Sequence, residues 1–244
     1  MNLGSEMSRL GPLILPSDYP RIRRVHSFQE LLGTAFGDGV NALVWERSLP
    51  GDFGEIVARL GEGEGLVTLD ESRLLSLPAS KKGRAAIEVL LADLQLLRAQ
   101  ELAPVLNCIH AYPRDEQSGP VATDVFSFHA DSAPVEADTW LCTYHGAPTE
   151  GLRNEEAQRR VDIPATRAEL LQLYGAEDGV GFREFLNGHC YDLHYAAWPQ
   201  AQPFSFGLGN LWRIATDWPG CPVPPCLHRA PEGSSGQPRL LLIS

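Results

Sequence analysis

The chain has 244 residues, 43% of them hydrophobic and 21% charged, and a formal net charge of −11. That composition is globular and supplies a sizeable core for one large or two small domains. The acidity makes nucleic-acid phosphates and anionic membrane surfaces poor partners, and the one local basic group, Arg21, Arg23 and Arg24, reads as a solvated face. No apolar run approaches the roughly 18 residues of a membrane helix, and the opening MNLGSEMSRL has no charged-then-apolar signal pattern. A soluble, cytoplasmic protein is expected. The cysteines (Cys108, Cys142, Cys190, Cys221 and Cys226) are odd in number and dispersed, which argues against a disulfide framework.

Residues 1 to about 26 carry Gly, Pro and charges and read as an irregular arm. A short helix is expected over 27–36, capped by Ser27 with Glu30 completing a capping box, then a strand over 41–49 and a helix over 52–60 capped by Asp52. The clearest helix is 83–102, where Ile87, Leu90, Leu91, Leu94 and Leu97 form one apolar stripe. Beyond residue 104 the text changes to short β-branched or aromatic segments broken by Pro, Gly and Asp: VLNCIHAY, VFSFHAD, TWLCTYHG, HCYDLHYAAW, FSFGLGNLWRIAT, CLHRAP and RLLLIS. One helical interruption is expected at 165–174 with Thr166 as its cap, and PEGSSGQ (231–237) reads as a turn or loop. The expected fold is mainly β with flanking helices. Residues 1–104 form a helix/strand portion that packs on a jelly-roll core of residues 105–244 as one integrated unit. Whether the first portion braces the core or mediates a homodimer stays open.

Four residues carry the chemistry. If VFSFHAD is a strand, Val125, Ser127, His129 and Asp131 share one face, while Phe126, Phe128 and Ala130 share the other. Residues two apart project side by side, so His129 and Asp131 can meet at one metal. A third ligand must come from another strand, and His228 in CLHRAP offers it. Two histidines and a carboxylate hold one face of a divalent iron and leave the other open. Arg239 follows on a strand expected to run antiparallel to that of His228 after a turn through GSSG. It shares a face with Leu241 and Ile243, and in an apolar interior its charge calls for an anionic ligand.

The order HxD, distant His, then Arg on the next strand resembles the iron(II)/2-oxoglutarate-dependent dioxygenases, whose core is a double-stranded β-helix. The flanking text is similar to a bacterial family of uncharacterised proteins in which a Trp-x-Arg strand precedes HxD and a Cys-Thr-Tyr-x-Gly segment. Here these are Trp45 to Arg47, His129 to Asp131, and Cys142 to Gly146 followed by Thr149 and Glu150. The family text spans about residue 39 to the end, and the superfamily part about 122–244. The resemblance implies an oxygenase with iron(II) held by His129, Asp131 and His228, and 2-oxoglutarate held at its distal carboxylate by Arg239. It implies Tyr144 as a second donor to that carboxylate, although strand parity does not separate Tyr144 from Thr143 and His145. In such enzymes the iron activates oxygen, 2-oxoglutarate loses carbon dioxide and a bound substrate is oxidised. The substrate, whether small molecule, peptide side chain or nucleobase, is not legible.

Plainer readings compete. A strand histidine is commonly a polar residue with a partner, and Arg239 alone reads as a salt-bridge residue. HCYDLH offers Cys190, Asp192 and His194 on one strand face as a separate metal site, and Cys221, Cys226 and His228 offer zinc ligands at loose spacing. GLGN (207–210) reads as a turn, and no GxSxG, P-loop or HExxH occurs. The alternative function is a jelly-roll metal or small-molecule binding protein without turnover, and a metal-free scaffold is the third.

Overall fold

The structure, a computed structural model, describes residues 14–114, 119–232 and 237–244. The GSSG part of the 231–237 loop and the MNLGSEMSRL segment lie outside the described residues. In the first portion, strands β1 (Ile22–Val25), β2 (Ala42–Trp45) and β3 (Leu66–Leu69) alternate with helices α1 (Phe28–Gly33), α2 (Phe53–Leu60), α3 (Glu71–Ser76) and α4 (Lys81–Arg98). There follow β4 (Val105–Ile109), β5 (Asp138–His145), β6 (Glu150–Leu152), β7 (Ala157–Arg159), α5 (Pro164–Tyr174) and α6 (Val180–Gly188). The chain ends through β8 (Tyr195–Ala197), β9 (Phe204–Ser205), β10 (Leu211–Ala215), β11 (Leu227–Arg229) and β12 (Arg239–Ile243).

The helix starts follow capping chemistry. Ser27, Asp52, Asp70 and Ser80 each accept a hydrogen bond from the backbone amide three residues on. Glu30 reaches back to the His26 amide at 2.7 Å, one residue further than a standard capping box. The long helix starts at Lys81 and stops at Arg98, within the expected stripe: Ile87, Leu90, Leu94 and Leu97 are buried and Leu91 is half-buried. Helix α5 corrects one expectation. Pro164 opens it, because a missing amide proton costs nothing at the first helical position, and Thr166 lies inside it rather than capping it.

Seven strands form one sheet in the order β1-β2-β10-β5-β12-β4-β3, parallel only between β1 and β2. The supposed irregular arm therefore contains an edge strand. Smaller sheets of three strands (β11-β6-β9) and two strands (β7-β8) complete the fold. The class is mixed α/β, with more helix than expected, because α6 adds a second helix after residue 104. Since β1, β2 and β3 belong to the same sheet as β4, β5, β10 and β12, no boundary at residue 104 divides the sheet. Among the described residues no helix is long and apolar enough to cross a membrane.

The large sheet is covered on both faces. Leu43, Leu106, Cys108, Trp140, Cys142, Tyr144, Leu240 and Leu242 pack with α1, α2 and α4 in the main core. Ala42, Val44, Ile109, Leu141, Trp212 and Leu241 face the other way and pack with Phe204, Phe206 and Cys226. The period-2 alternation of each strand thus separates a helix face from an inner face.

One ionic network pins the helix face. Arg47, just past β2, makes a two-pronged contact with Asp93 of α4, Nη1 to Oδ1 at 2.7 Å and Nη2 to Oδ2 at 2.8 Å. Its Nε donates to the Gly209 carbonyl at 2.8 Å, and the Tyr144 hydroxyl donates to Asp93 Oδ2 at 2.6 Å. The two charged side chains are only 7% and 4% exposed. Arg47 and Tyr144 are residues of the Trp-x-Arg and Cys-Thr-Tyr-x-Gly segments, so those segments serve packing here. Replacing Asp93 by Leu leaves the Arg47 charge buried without a counter-ion and should cost about 3–5 kcal/mol in urea denaturation, while Arg47→Met/Asp93→Leu together should recover most of that loss.

Candidate metal centre and arginine pocket

His129, Asp131 and His228 converge. One ligand atom from each lies within 4.8 Å of the others, and among the described residues theirs is the only such group of His, Cys, Asp or Glu. The two histidines are tied through their backbones: the His129 amide donates to the His228 carbonyl at 2.9 Å and the His228 amide to the His129 carbonyl at 3.0 Å. This reciprocal antiparallel pair puts both side chains on one face, with ring centroids 4.6 Å apart. Asp131 follows two residues later, its Oδ2 accepting from Thr139 Oγ1 at 2.5 Å.

The route to this convergence differs from the expected strand. VFSFHAD is not a regular strand; it opens as a turn in which the Ser127 amide donates to the Asp124 carbonyl and the Phe126 amide to Asp124 Oδ1. Alternation survives only from Ser127 onward, with Phe128 and Ala130 buried against Leu152 and Leu227. Phe126 falls inside the turn and packs instead on Tyr112 and under Arg114. An Asx turn satisfies those amides locally, so they need no ladder.

Backbone carbonyls orient both imidazoles. Each Nδ1 faces a carbonyl oxygen, Ser127 at 2.8 Å for His129 and Cys226 at 3.4 Å for His228. A carbonyl only accepts, so the proton sits on Nδ1 and the Nε2 lone pair is free for a metal. These Nε2 atoms lie 4.0 Å (His129, to Oδ1) and 3.7 Å (His228, to Oδ2) from Asp131. Burial, reinforced by His228, pushes the His129 imidazole down to about 4 from 6.5. Burial acts to raise the Asp131 carboxyl, but His228, the Thr139 hydroxyl and His129 outweigh it and hold it below 3.8. Neutral imidazole and ionised carboxylate are the ligand states a divalent ion needs.

Arg239 lies on the facing sheet. It was expected beside the His228 strand, but β11 pairs with β6, whereas β12 pairs with β4 and β5. The connection between β11 and β12 changes sheets, which sets Arg239 across a cavity from the histidines. That cavity measures about 220 Å³ and is lined by His129, Asp131, His228, Thr149, Tyr112 and Arg239, among others. The guanidinium is buried, and among the described residues no carboxylate lies within ion-pair distance of it. Its Nη1 donates to the Tyr112 hydroxyl at 2.6 Å and its Nη2 to Thr149 Oγ1 at 3.1 Å and Thr143 Oγ1 at 3.4 Å. Its Nε is buried with no acceptor among the described residues. The nearby Glu150 is engaged by Arg229 at 2.7 Å. Burial therefore lowers the Arg239 guanidinium from its usual value. Gly146 lets β12 come this close: its φ is +81°, and a Cβ there would meet the Pro238 carbonyl at 2.7 Å.

Tyr144 is corrected. It lies on the helix face of β5, bonded to Asp93, and does not line the cavity. Parity gives Arg239 the alternate residue, Thr143. Tyr112 and Thr149 were missed as arginine partners; Thr149 stood inside the quoted segment, while Tyr112 carried no signal beyond its place after a strand. His194 ends beside His129, ring centroids 5.7 Å apart, but outside the ligand group. Residues 191–193 form a 3-10 turn, so Cys190, Asp192 and His194 do not share a strand face. Cys226 is buried in the inner core, and neither it nor Cys221 joins a ligand group among the described residues. No family model matches the chain, and no curated protein or solved structure matches it either.

The pH consequence has a definite sign. An unfolded histidine takes up a proton below 6.5 that folded His129 refuses down to about 4, a stability penalty absent above 6.5 and growing as pH falls. Asp131 acts in the same sense lower down, because its contribution is present above 3.8 and lost as pH falls through its folded value. Urea denaturation of the metal-free protein should show stability rising from pH 4 to 6.5 more steeply than in His129→Leu; equal slopes would mean that His129 stays protonated in the fold.

Proposed function

We propose that this chain is a non-haem iron(II), 2-oxoglutarate-dependent oxygenase whose two facing sheets form a double-stranded β-helix. The observation that carries the reading is the buried Arg239, which among the described residues has no carboxylate partner, on the same cavity as His129, Asp131 and His228. A metal site alone suits many proteins. A metal site joined by one small cavity to an uncompensated guanidinium suits a ligand that chelates at one end and is a carboxylate at the other.

The donor set fits the metal. Two imidazoles and one carboxylate are the ligands of the facial triad, which suits iron(II) and leaves positions open toward the cavity. When bound, the iron supplies oxygen activation, coupled to conversion of 2-oxoglutarate to succinate and carbon dioxide, with one oxygen atom of O₂ entering succinate and the other the substrate.

The chain's own groups bind and orient. Arg239 presents Nε and its Nη groups to the distal carboxylate, a charge-assisted pairing. Tyr112 and Thr149 accept hydrogen bonds from Arg239 and so keep their own hydroxyl protons to donate to the same carboxylate. The Ser127 and Cys226 carbonyls hold the imidazoles in the ligating tautomer, and Thr139 holds the carboxylate. Ile109, Leu141 and Leu241 wall the cavity and exclude water from the charged contacts.

Anaerobic titration with iron(II) should give a weak visible charge-transfer band only when 2-oxoglutarate is added. His129→Ala should abolish it. Arg239→Met should leave iron affinity unchanged and weaken 2-oxoglutarate binding about 10- to 100-fold, the loss of a charged hydrogen-bonded contact. Iron binding without 2-oxoglutarate affinity would instead favour a metal-binding protein without turnover.

A further inference from the structure

We infer that the substrate of this site enters with a small, uncharged, largely apolar end bearing one hydrogen-bond acceptor, and that Asn107 recognises that acceptor. The inference rests on the oxygenase reading of the cavity and adds to it a place and a chemistry for the substrate.

The place follows from strand register. On the inner face, Arg239 stands opposite Ile109, which stands opposite Leu66. Leu241 is flanked by Asn107 on β4 and Thr143 on β5, and Ile243 by Val105 and Leu141. Asp131, bonded to Thr139, fixes the metal end over β5. A dicarboxylate stretched from there to Arg239 lies over β5 and β12. Toward β10 and β2 the space is filled by Phe204, Phe206 and Trp212. What remains lies over β4 and β3. There the large sheet ends, and Leu66 and Val105 are 48% and 39% exposed. The open side of the cavity is therefore the β3–β4 edge, and a cavity of about 220 Å³ shared with 2-oxoglutarate admits only one end of a substrate.

The chemistry follows from what is left uncommitted there. The walls on this side are Leu66, Ile109, Val125 and Ile243. The cavity's other charged groups are engaged: Arg229 with Glu150 and Glu232, Arg239 with the cosubstrate, Asp131 with the metal and Thr139. A charged substrate end would lose its hydration with no partner in return. Asn107 is buried and lines the cavity. Its Oδ1 accepts from Thr68 Oγ1 at 2.9 Å, which turns the amide and directs Nδ2 away from Thr68. Among the described residues Nδ2 has no acceptor. Nδ2 is thus a cavity-lining donor that the protein leaves uncommitted, and a ligand that supplies an acceptor gains a bond there that an alkyl or cationic end does not.

Three probes with the same butyl body test this: N-butylacetamide, pentanoate and butylammonium, each added to the full chain loaded with manganese(II) and saturating 2-oxoglutarate. Saturation-transfer NMR reads contact with the protein, and manganese-induced proton relaxation reads nearness to the metal. The amide should bind at least about tenfold tighter than either ion, and Asn107→Leu should remove about tenfold of that affinity while 2-oxoglutarate affinity holds. Asn107→Asp should shift preference toward butylammonium, a gain that misfolding cannot mimic. Equal binding of the three probes, no transfer to the amide at millimolar concentration, or an unchanged amide affinity in Asn107→Leu would each overturn the inference. Failure of 2-oxoglutarate to bind would sink the oxygenase reading separately, because saturation transfer to the amide reads Asn107 with or without cosubstrate and metal.

Discussion

A seven-stranded sheet that buries both faces at its centre imposes one constraint on everything else in this molecule: the residues of its central strands must suit either the helix layer or the inner side. In β12, Leu240 and Leu242 go to the helices while Arg239 and Leu241 go inward. A slip of one residue would drive a guanidinium into the main core and expose leucines to the cavity, so register is strongly specified. The same parity places Tyr144 against Asp93 and Thr143 against Arg239. Cavity and core are thus two sides of one packing solution.

Two buried arginines show how differently the fold treats the same charge. Arg47 meets Asp93 through two short parallel hydrogen bonds and the Gly209 carbonyl through Nε, so its charge has a carboxylate beside it and each of its nitrogens a partner. Among the described residues Arg239 meets three hydroxyls and no carboxylate, with Nε unsatisfied. Hydroxyls ease desolvation but carry no countercharge. Burial is similar in the two cases, so the difference lies in the partners: for Arg47 a carboxylate of the protein, for Arg239 hydroxyls alone among the described residues.

The His129, Asp131 and His228 half of the site is built from few contacts. A single reciprocal backbone pair sets His129 against His228, and an irregular segment with an Asx turn delivers Asp131 two residues later. Carbonyls behind both rings fix the tautomers, and Thr139 of the large sheet reaches over to fix the carboxylate. Hence His129, Asp131, His228 and the carbonyls behind the two rings belong to the smaller layer, while Thr139 and Arg239 belong to the larger one. The site depends on the two layers staying packed together.

Local chemistry was legible in the text of the chain. Helix caps at Ser27 and Asp52, the α4 stripe, most strands of the second part and the His129, Asp131, His228 and Arg239 set could be read there, because capping, amphipathic period and ligand type depend on neighbours in sequence. Edge strands β1 and β3 and helices α3 and α6 were too short or too mixed to stand out from it. Tertiary structure alone decided that β11 and β12 lie in different sheets, that the HxD segment is a turn with an isolated bridge, that Tyr144 faces away, and that Tyr112 and Asn107 enter the cavity. These depend on sheet membership and strand parity. Both are set by long-range pairing and by the need to bury two faces at once, and no local run of residues encodes them.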